Sequence, residues 1–554
     1  MRRAVLLAAL AACARPPSAG RPMDPDLLVV GTIHTLDPAL PRAGAVLVRG
    51  GRIACVGPAG YCAARAETGV RRIDLGRGSA VPGLADAHGH VLGYARSLEE
   101  VSCAGLRSAA ECVSRAALRA RSVPPGAWVR GRGWDQNLWE GGAFPTEEAL
   151  SAALPDHPVF LVRVDGHAAW VNAWALALAG VGPGTPDPPG GRILRHPDGR
   201  PTGVLVDAAM DRALVRIPQP SPDERERLLS AGLAALARFG LTAVHDAGVD
   251  PATLEAYARL ARADRLPLRV YAMIDGMQPE HVLRAQLARW GAEPEVGRLT
   301  VRAVKLYADG ALGSRGAALL QPYADEPETT GLLLLEPAAL RARIDLAARA
   351  GFQPAVHAIG DRACRVALDA FLAVDKAGSL RRLRPRIEHL QILRAEDAAR
   401  LGRAGAVASM QPVHAVSDGP WAERRLGHDT PAQRGAYAWR QALDGGGVLA
   451  FGSDFPVESP DPRLGLAAAE GRVPGGAEEA WMPEERLGRQ AALLAFTAGA
   501  AFASFAEGRR GRIREGLDGD LTLFGADLLA VPLEELAGVP VRGTVVAGRV
   551  EYER

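Results

Sequence analysis

Lysine is almost absent from this chain. Of its 65 basic side chains only Lys305 and Lys376 are lysine; the others are arginine. A GC-rich coding background produces such a bias, and a lysine that survives in it needs a chemical reason. An excess of one charge is also missing. The 65 basic and 63 acidic side chains leave a net charge of +2 with no basic block, which gives no support for a nucleic-acid partner. After the first residues no run reaches the roughly 18 apolar residues of a membrane span. The membrane is therefore open to this chain only through an anchor. Cysteine is scarce, with six in 554 residues, and none has the spacing of a zinc-thiolate site.

The N-terminus reads as targeting rather than fold. Arg2-Arg3 precedes the apolar Ala4 to Leu10, and Leu10-Ala11-Ala12-Cys13 resembles a bacterial lipoprotein cleavage box. This implies lipidation of Cys13, a tether up to residue 24, and an exported protein anchored on the periplasmic side of the envelope. A spurious leader would instead leave the protein in the cytoplasm. Export is compatible with two local disulfides, Cys55/Cys62 and Cys103/Cys112, and would leave Cys364 as a buried thiol.

With 48% hydrophobic residues the chain can bury a large core. Its length exceeds one ordinary domain but fits a barrel of roughly 250 residues with additions. Residues 25–79 and 506–554 are rich in short apolar runs and tight turns such as Gly50-Gly51. Together they are expected to form one small β-sandwich from both termini. Between them, residues 80–505 alternate strand-like and helix-like segments. Eight strands are expected to end near His88, Asp246, Ile274, Tyr307, His357, His389, Gln411 and Asp454. This predicts an α/β fold, a (β/α)8 TIM barrel, whose active site lies at the C-terminal strand ends. About 150 residues separate the first two strands, too many for a structureless loop. An insertion subdomain is expected at about 94–235, placed over the barrel mouth and carrying substrate specificity.

The first strand ends in Asp86-Ala87-His88-Gly89-His90. Residues i and i+2 of an extended chain point to one side, so the two imidazoles make half of a divalent metal site. Lys305, His357, His389 and Asp454 each end or follow another apolar run. Singly, each has an ordinary reading: a satisfied polar histidine, a Lys305 ion pair with Asp309 or Asp361, an N-capping Asp454. One polar group per expected strand end is a different matter. Imidazoles and a carboxylate bind a borderline metal such as zinc. Lysine, unlike arginine, can take up CO2 as an anionic carbamate that bridges two metals. Such a pair, about 3.5–4 Å apart, activates water and polarises a carbonyl. Asp454 can ligate one metal and shuttle the proton to the leaving group. Weaker candidates are Trp134, His167 and Arg315 for substrate contact. Trp134 could equally be core, His167 a cap, and Arg315 a loop partner of Asp309. His245, Asp361 and Gln411 could hold ligands from behind. His414 and His428 remain unassigned.

Several segments together resemble the amidohydrolase superfamily, in the branch of YtcJ-like and N-substituted formamide deformylase-like proteins (amidohydrolase family 3). They are Pro82-Gly83 with Asp86 to His90, Asp165 to Asn172, Val304 to Arg315, Val356 to Ala363, Arg386 to Gln391, and Gly452 to Pro456. The resemblance implies a metal-dependent hydrolase barrel, with His88, His90, His357, His389 and Asp454 as ligands of one or two Zn2+ and Lys305 as the bridging carbamate. The expected activity is hydrolysis of a non-peptide, linear carbon–nitrogen bond of the amide or formamide type in a small molecule. An esterase, lactonase or deaminase would use the same site. A lipid-anchored binding protein without catalysis is the reading from another class, and a homodimer stays open.

Overall fold

The computed structural model describes residues 26–554 other than 165, 167, 189 and 190. Cys13 and His167, expected to carry the lipid and to contact substrate, lie outside the described residues. Eight short strands carry apolar residues on both faces, as parallel strands covered on both sides must. They are β1 (Leu84–Gly89), β2 (Leu241–Val249), β3 (Arg269–Asp275), β4 (Leu299–Tyr307), β5 (Gln353–Ala358), β6 (Arg386–His389), β7 (Val407–Met410) and β8 (Val448–Phe451). Each pairs in parallel with the next, in sequence order. The barrel is nearly closed. At the seam the Asp454 amide donates to His88 O at 2.7 Å, and Ser453 Oγ donates to Asp86 Oδ2 at 2.6 Å. Two glycines make this approach sterically feasible. A Cβ on Gly452 would lie 2.5 Å from His88 N, and one on Gly89 would lie 2.3 Å from the Phe455 ring.

Helices cover the outside. Pro222–Ala237 and Pro251–Arg262 each open on a proline, and their caps Ser221 and Asp250 accept from the Glu224 and Thr253 amides. Helix Pro222–Ala237, which begins inside the span expected for the insertion and ends beyond it, places Leu229, Leu233 and Leu236 in the barrel's main core.

Strands from both termini form one seven-stranded sheet. Its order is Arg549–Glu553, Val541–Val546, Leu521–Phe524, Arg71–Pro82, Leu27–His34, Arg42–Arg49 and Arg52–Gly57. Strand Arg71–Pro82 runs through Gly83 into β1. Arg269 of β3 clamps Asp520 with two bonds of 2.7 and 2.9 Å, which fixes this sheet to the barrel end opposite the site. Cys55 and Cys62 are joined in a disulfide. Cys103 and Cys112, the other expected pair, are not bonded. They are free thiols buried in one apolar cluster of the insertion, where they pack as small hydrophobic groups.

The insertion has its own six-stranded sheet, in the order Gly191–Arg195, Pro201–Asp207, Ala168–Val171, Val159–Arg163, Val129–Trp134 and Val101–Ser102. Its core stacks Trp134, Trp139 and Trp170, with ring centroids 6.0–6.5 Å apart. Trp134 is fully buried there and donates from Nε1 to Leu161 O at 2.8 Å. It is therefore a core residue of the insertion and not a substrate contact. Trp134→Ala should destabilise the insertion by about 3–5 kcal/mol. Hydrogen exchange would show the loss confined to residues 101–207, and KM of the folded fraction should not change.

Candidate metal centre

Strand geometry brings six of the expected residues to one barrel mouth. His88 lies one residue before the end of β1 and His90 directly beyond it; Lys305 lies near the end of β4, His357 near the end of β5, and His389 at the end of β6. Asp454 stands three residues beyond β8. His389 and Asp454 hold left-handed backbone, at φ +73° and +62°. The rings of His88 and His357 each lie 4.6–4.7 Å from that of His389.

Hydrogen bonds fix which nitrogen of three rings faces inward. His88 Nδ1 donates to Glu388 Oε2 at 2.5 Å, His90 Nδ1 to Ala247 O at 3.0 Å, and His389 Nδ1 to Gln411 Oε1 at 2.8 Å. In the neutral rings this leaves each Nε2 as a bare acceptor. Burial, reinforced by Lys305, holds the His88 imidazole down at about 4. Burial and Lys305 likewise hold His357 at about 3, and burial with the neighbouring His357 keeps His389 well below the usual range. Burial works to raise the Asp454 carboxyl; the His90 and His88 rings overcome it and hold the group below the usual range only in the state where they carry a second proton.

Acceptors therefore face acceptors. His90 Nε2 lies 3.1 Å and His88 Nε2 3.6 Å from Asp454 Oδ1. Asp454 Oδ1 and His357 Nε2 are buried without a hydrogen-bond partner. Of these acceptors Lys305 Nζ meets only His88 Nε2, at 3.2 Å; the other lone pairs converging at these distances repel unless a cation lies between them, so the residues present fit a divalent metal. His88, His90 and Asp454 form one set whose donor atoms lie within 4.8 Å of one another, and His389, His414 and Asp454 form a second.

Lys305 is buried, and its Nζ lies 3.2 Å from His88 Nε2. Burial lowers its ammonium to about 8, so much more of it is a neutral amine at pH 7 than for a lysine in water. It pairs with neither Asp309 nor Asp361. Asp309 accepts from the Ala318, Ile359 and Gly360 amides. Asp361 accepts from the Leu320 amide and pairs with Arg394 at 3.1 Å, so it shapes a loop and supports no site imidazole.

Behind His88 lies a chain the sequence reading missed. Glu388 accepts from Arg386 Nε at 2.7 Å, and Arg386 also donates to Ala87 O, Ser409 Oγ and the His245 ring. His245 thus supports Arg386 and reaches no site imidazole directly. The signal was available, since Arg386, Glu388 and His88 all sit on inward-facing strand positions. His414, left without a role in the sequence reading, also belongs to the site. It lies in the first turn of helix Pro412–Leu426, beyond the end of β7, with Nε2 4.0 Å from Asp454 Oδ2. The Gln391 amide donates to His414 Nδ1 at 3.3 Å. That places the proton on Nε2, making His414 a donor toward the site and a poor ligand.

A cavity of about 390 Å³ opens on these groups, lined further by Tyr307, Leu312, Ile359, Trp421, Val457 and Glu458. No described residue of the insertion lines it, against the expectation that specificity resides there. Arg315 does not line it either, because its guanidinium is held by Asp325 at 3.0 Å and Glu326 at 3.1 Å. A larger cavity, about 640 Å³, lies between the insertion and the barrel helices and contains none of the site residues.

The model of the amidohydrolase family matches residues 71–552. Relatives include Protein LONG AFTER FAR-RED 3 of Arabidopsis thaliana, 34% identical over 91% of this chain and 87% of its own. Putative amidohydrolase YtcJ of Bacillus subtilis is 31% identical over 95% and 98%. N-substituted formamide deformylase of Arthrobacter pascens is 29% identical over 96% and 98%. An uncharacterized metal-dependent hydrolase from Pyrococcus horikoshii superposes with a TM-score of 0.77 at 26% identity, over 92% of this chain and 99% of that one. The matched family span takes in the whole barrel with its inward-facing imidazoles, and this chain belongs to the amidohydrolase family.

Proposed function

We propose that this chain is a metal-dependent hydrolase of a linear, non-peptide carbon–nitrogen bond, an amide of the formamide or N-acyl type. The observation that carries the reading is the set of imidazole Nε2 acceptors facing the Asp454 carboxylate at one cavity, each ring held from behind through Nδ1. One relative is named for the deformylation of N-substituted formamides.

In this reading His88, His90, His357, His389 and Asp454 hold one or two metal ions, with zinc suited to the donor set. Lys305 joins them as a carbamate. Its neutral Nζ attacks CO2, an N–C bond forms, one proton leaves, and the product is an anionic ligand. The metal supplies a lowered water pKa and a polarised carbonyl. Asp454 takes the proton of the attacking water and returns it to the departing nitrogen as the C–N bond breaks, giving a carboxylic acid and an amine. His414 Nε2–H orients the carbonyl oxygen. Burial of the imidazoles keeps them neutral, as ligation demands.

We also propose export and lipid attachment at Cys13, supported by the leader and by the Cys55–Cys62 disulfide. Replacement Cys13→Ala should move the protein from the membrane fraction to the soluble one. Metal content and hydrolysis of a formamide panel test the catalytic reading. Wild type should hold about two metals and Lys305→Ala about one or fewer, with activity lost in the variant. One metal in both proteins would make Lys305 a bystander, and none under replete conditions would end the reading. Glu388→Gln removes the anionic acceptor behind His88 and should weaken metal retention about 10- to 100-fold, read by chelator competition.

A further inference from the structure

The cavity has a second wall, made by one face of helix Pro412–Leu426 and by the turn after β8. His414, Asp418 and Trp421 stand at i, i+4 and i+7, the spacing of one helix face, and all three line the cavity with Gln391 and Glu458. Two features of this wall call for a ligand. Among the described residues neither Asp418 nor Glu458 has an ion-pair partner; the Asp418 carboxylate accepts only from the Tyr437 hydroxyl. In addition, Gln391 Oε1, an acceptor, is buried without a partner on a residue 5% exposed.

The neighbouring arginines are paired outside the acidic pair. Arg315 and Arg425 both bind Asp325, and Arg425 also donates to Gly313 O at 3.0 Å and lies over one face of the Trp421 ring, 5.9 Å from its centroid. Apart from the imidazoles, Lys305 is the one cationic side chain lining the cavity, and it lies at the metal end. Burial raises the Asp418 carboxyl and Glu458 adds to it, outweighing the His414 ring and the Tyr437 hydroxyl, which lower it. The rest of this wall is apolar or aromatic.

We propose that this wall selects a substrate whose substituent is a cation on an apolar stem, an ammonium or guanidinium seated between Asp418, Glu458 and the face of Trp421. Gln391 Oε1 accepts from the cation's N–H, and the indole face adds a cation–π contact. A substrate carrying a carboxylate at this end meets two acidic groups and no free guanidinium, so N-acyl amino acids are disfavoured. The inference rests on the amide reading above and assigns which amides the site takes.

Three formamides of matched length test it on the metal-loaded full chain: N-(5-aminopentyl)formamide, N-hexylformamide and N-formyl-6-aminohexanoate. The ammonium compound should exceed the neutral one in kcat/KM by about tenfold, mainly through KM, with the carboxylate compound poorest. In Glu458→Gln the ammonium-to-neutral ratio should fall toward one, a readout internal to the variant. Equal or reversed preference in wild type, or a ratio unchanged in the variant, would overturn the proposal. If none of the three is hydrolysed, calorimetry with hexylammonium and 1-hexanol separates the two readings. Hexylammonium binding about tenfold tighter, and losing that advantage in Glu458→Gln, upholds the cation site while the amide reading fails. Equal binding of the two overturns both.

Discussion

Arg386, Glu388 and His88 form a fully buried chain across the inside of the barrel. The site depends on it. Burying an ion pair rarely adds net stability, because desolvation consumes most of the attraction. What this chain contributes is position. Arg386 on β6 ties β1 through Ala87 O, β7 through Ser409 and β2 through His245, while holding Glu388 against His88 Nδ1. With Nδ1 occupied, His88 can present only its Nε2 lone pair to the cavity. His90 and His389 follow the same rule with Ala247 O and Gln411 as partners.

The result is a cluster that is unfavourable by itself. Neutral imidazoles and a carboxylate point lone pairs at each other in a buried space, and two of the residues, His389 and Asp454, sit in left-handed backbone at roughly 1–3 kcal/mol each. The barrel seam holds Asp454 in place through its amide bond to His88 O, and the Gly452 and Gly89 contacts leave that seam no room for a side chain. A divalent cation relieves the repulsion among the donors. The same cavity changes character away from the metal end, where Asp418, Glu458 and Trp421 replace the imidazoles.

Much of this was legible in the sequence because it depends on local rules. The eight strands follow from apolar runs covered on both faces, and the polar residue ending each run marks the functional rim of the barrel. The Gly89 between two histidines and the surviving Lys305 point the same way. Features set by packing between distant elements were not legible. For Trp134 the sequence leaves pocket and core equally open, and the buried indole cluster of the insertion decides for core. For Arg315 it leaves substrate and loop open, and the loop partners are Asp325 and Glu326 rather than Asp309. Cys103 and Cys112 lie close in sequence yet meet as thiols. Glu388 and His414 were passed over for different reasons. Glu388 was hidden beside His389, and His414 lies in the first turn of a helix, past the strand end that carries the other imidazoles.

Anomalous X-ray diffraction from crystals of the zinc-loaded protein tests the metal centre most directly. A peak bonded to His88 Nε2, His90 Nε2 and Asp454, with a second near His357, His389 and Lys305, is the predicted result. Zinc bound elsewhere on the chain, or no peak among these side chains at full occupancy of the crystal, would contradict it.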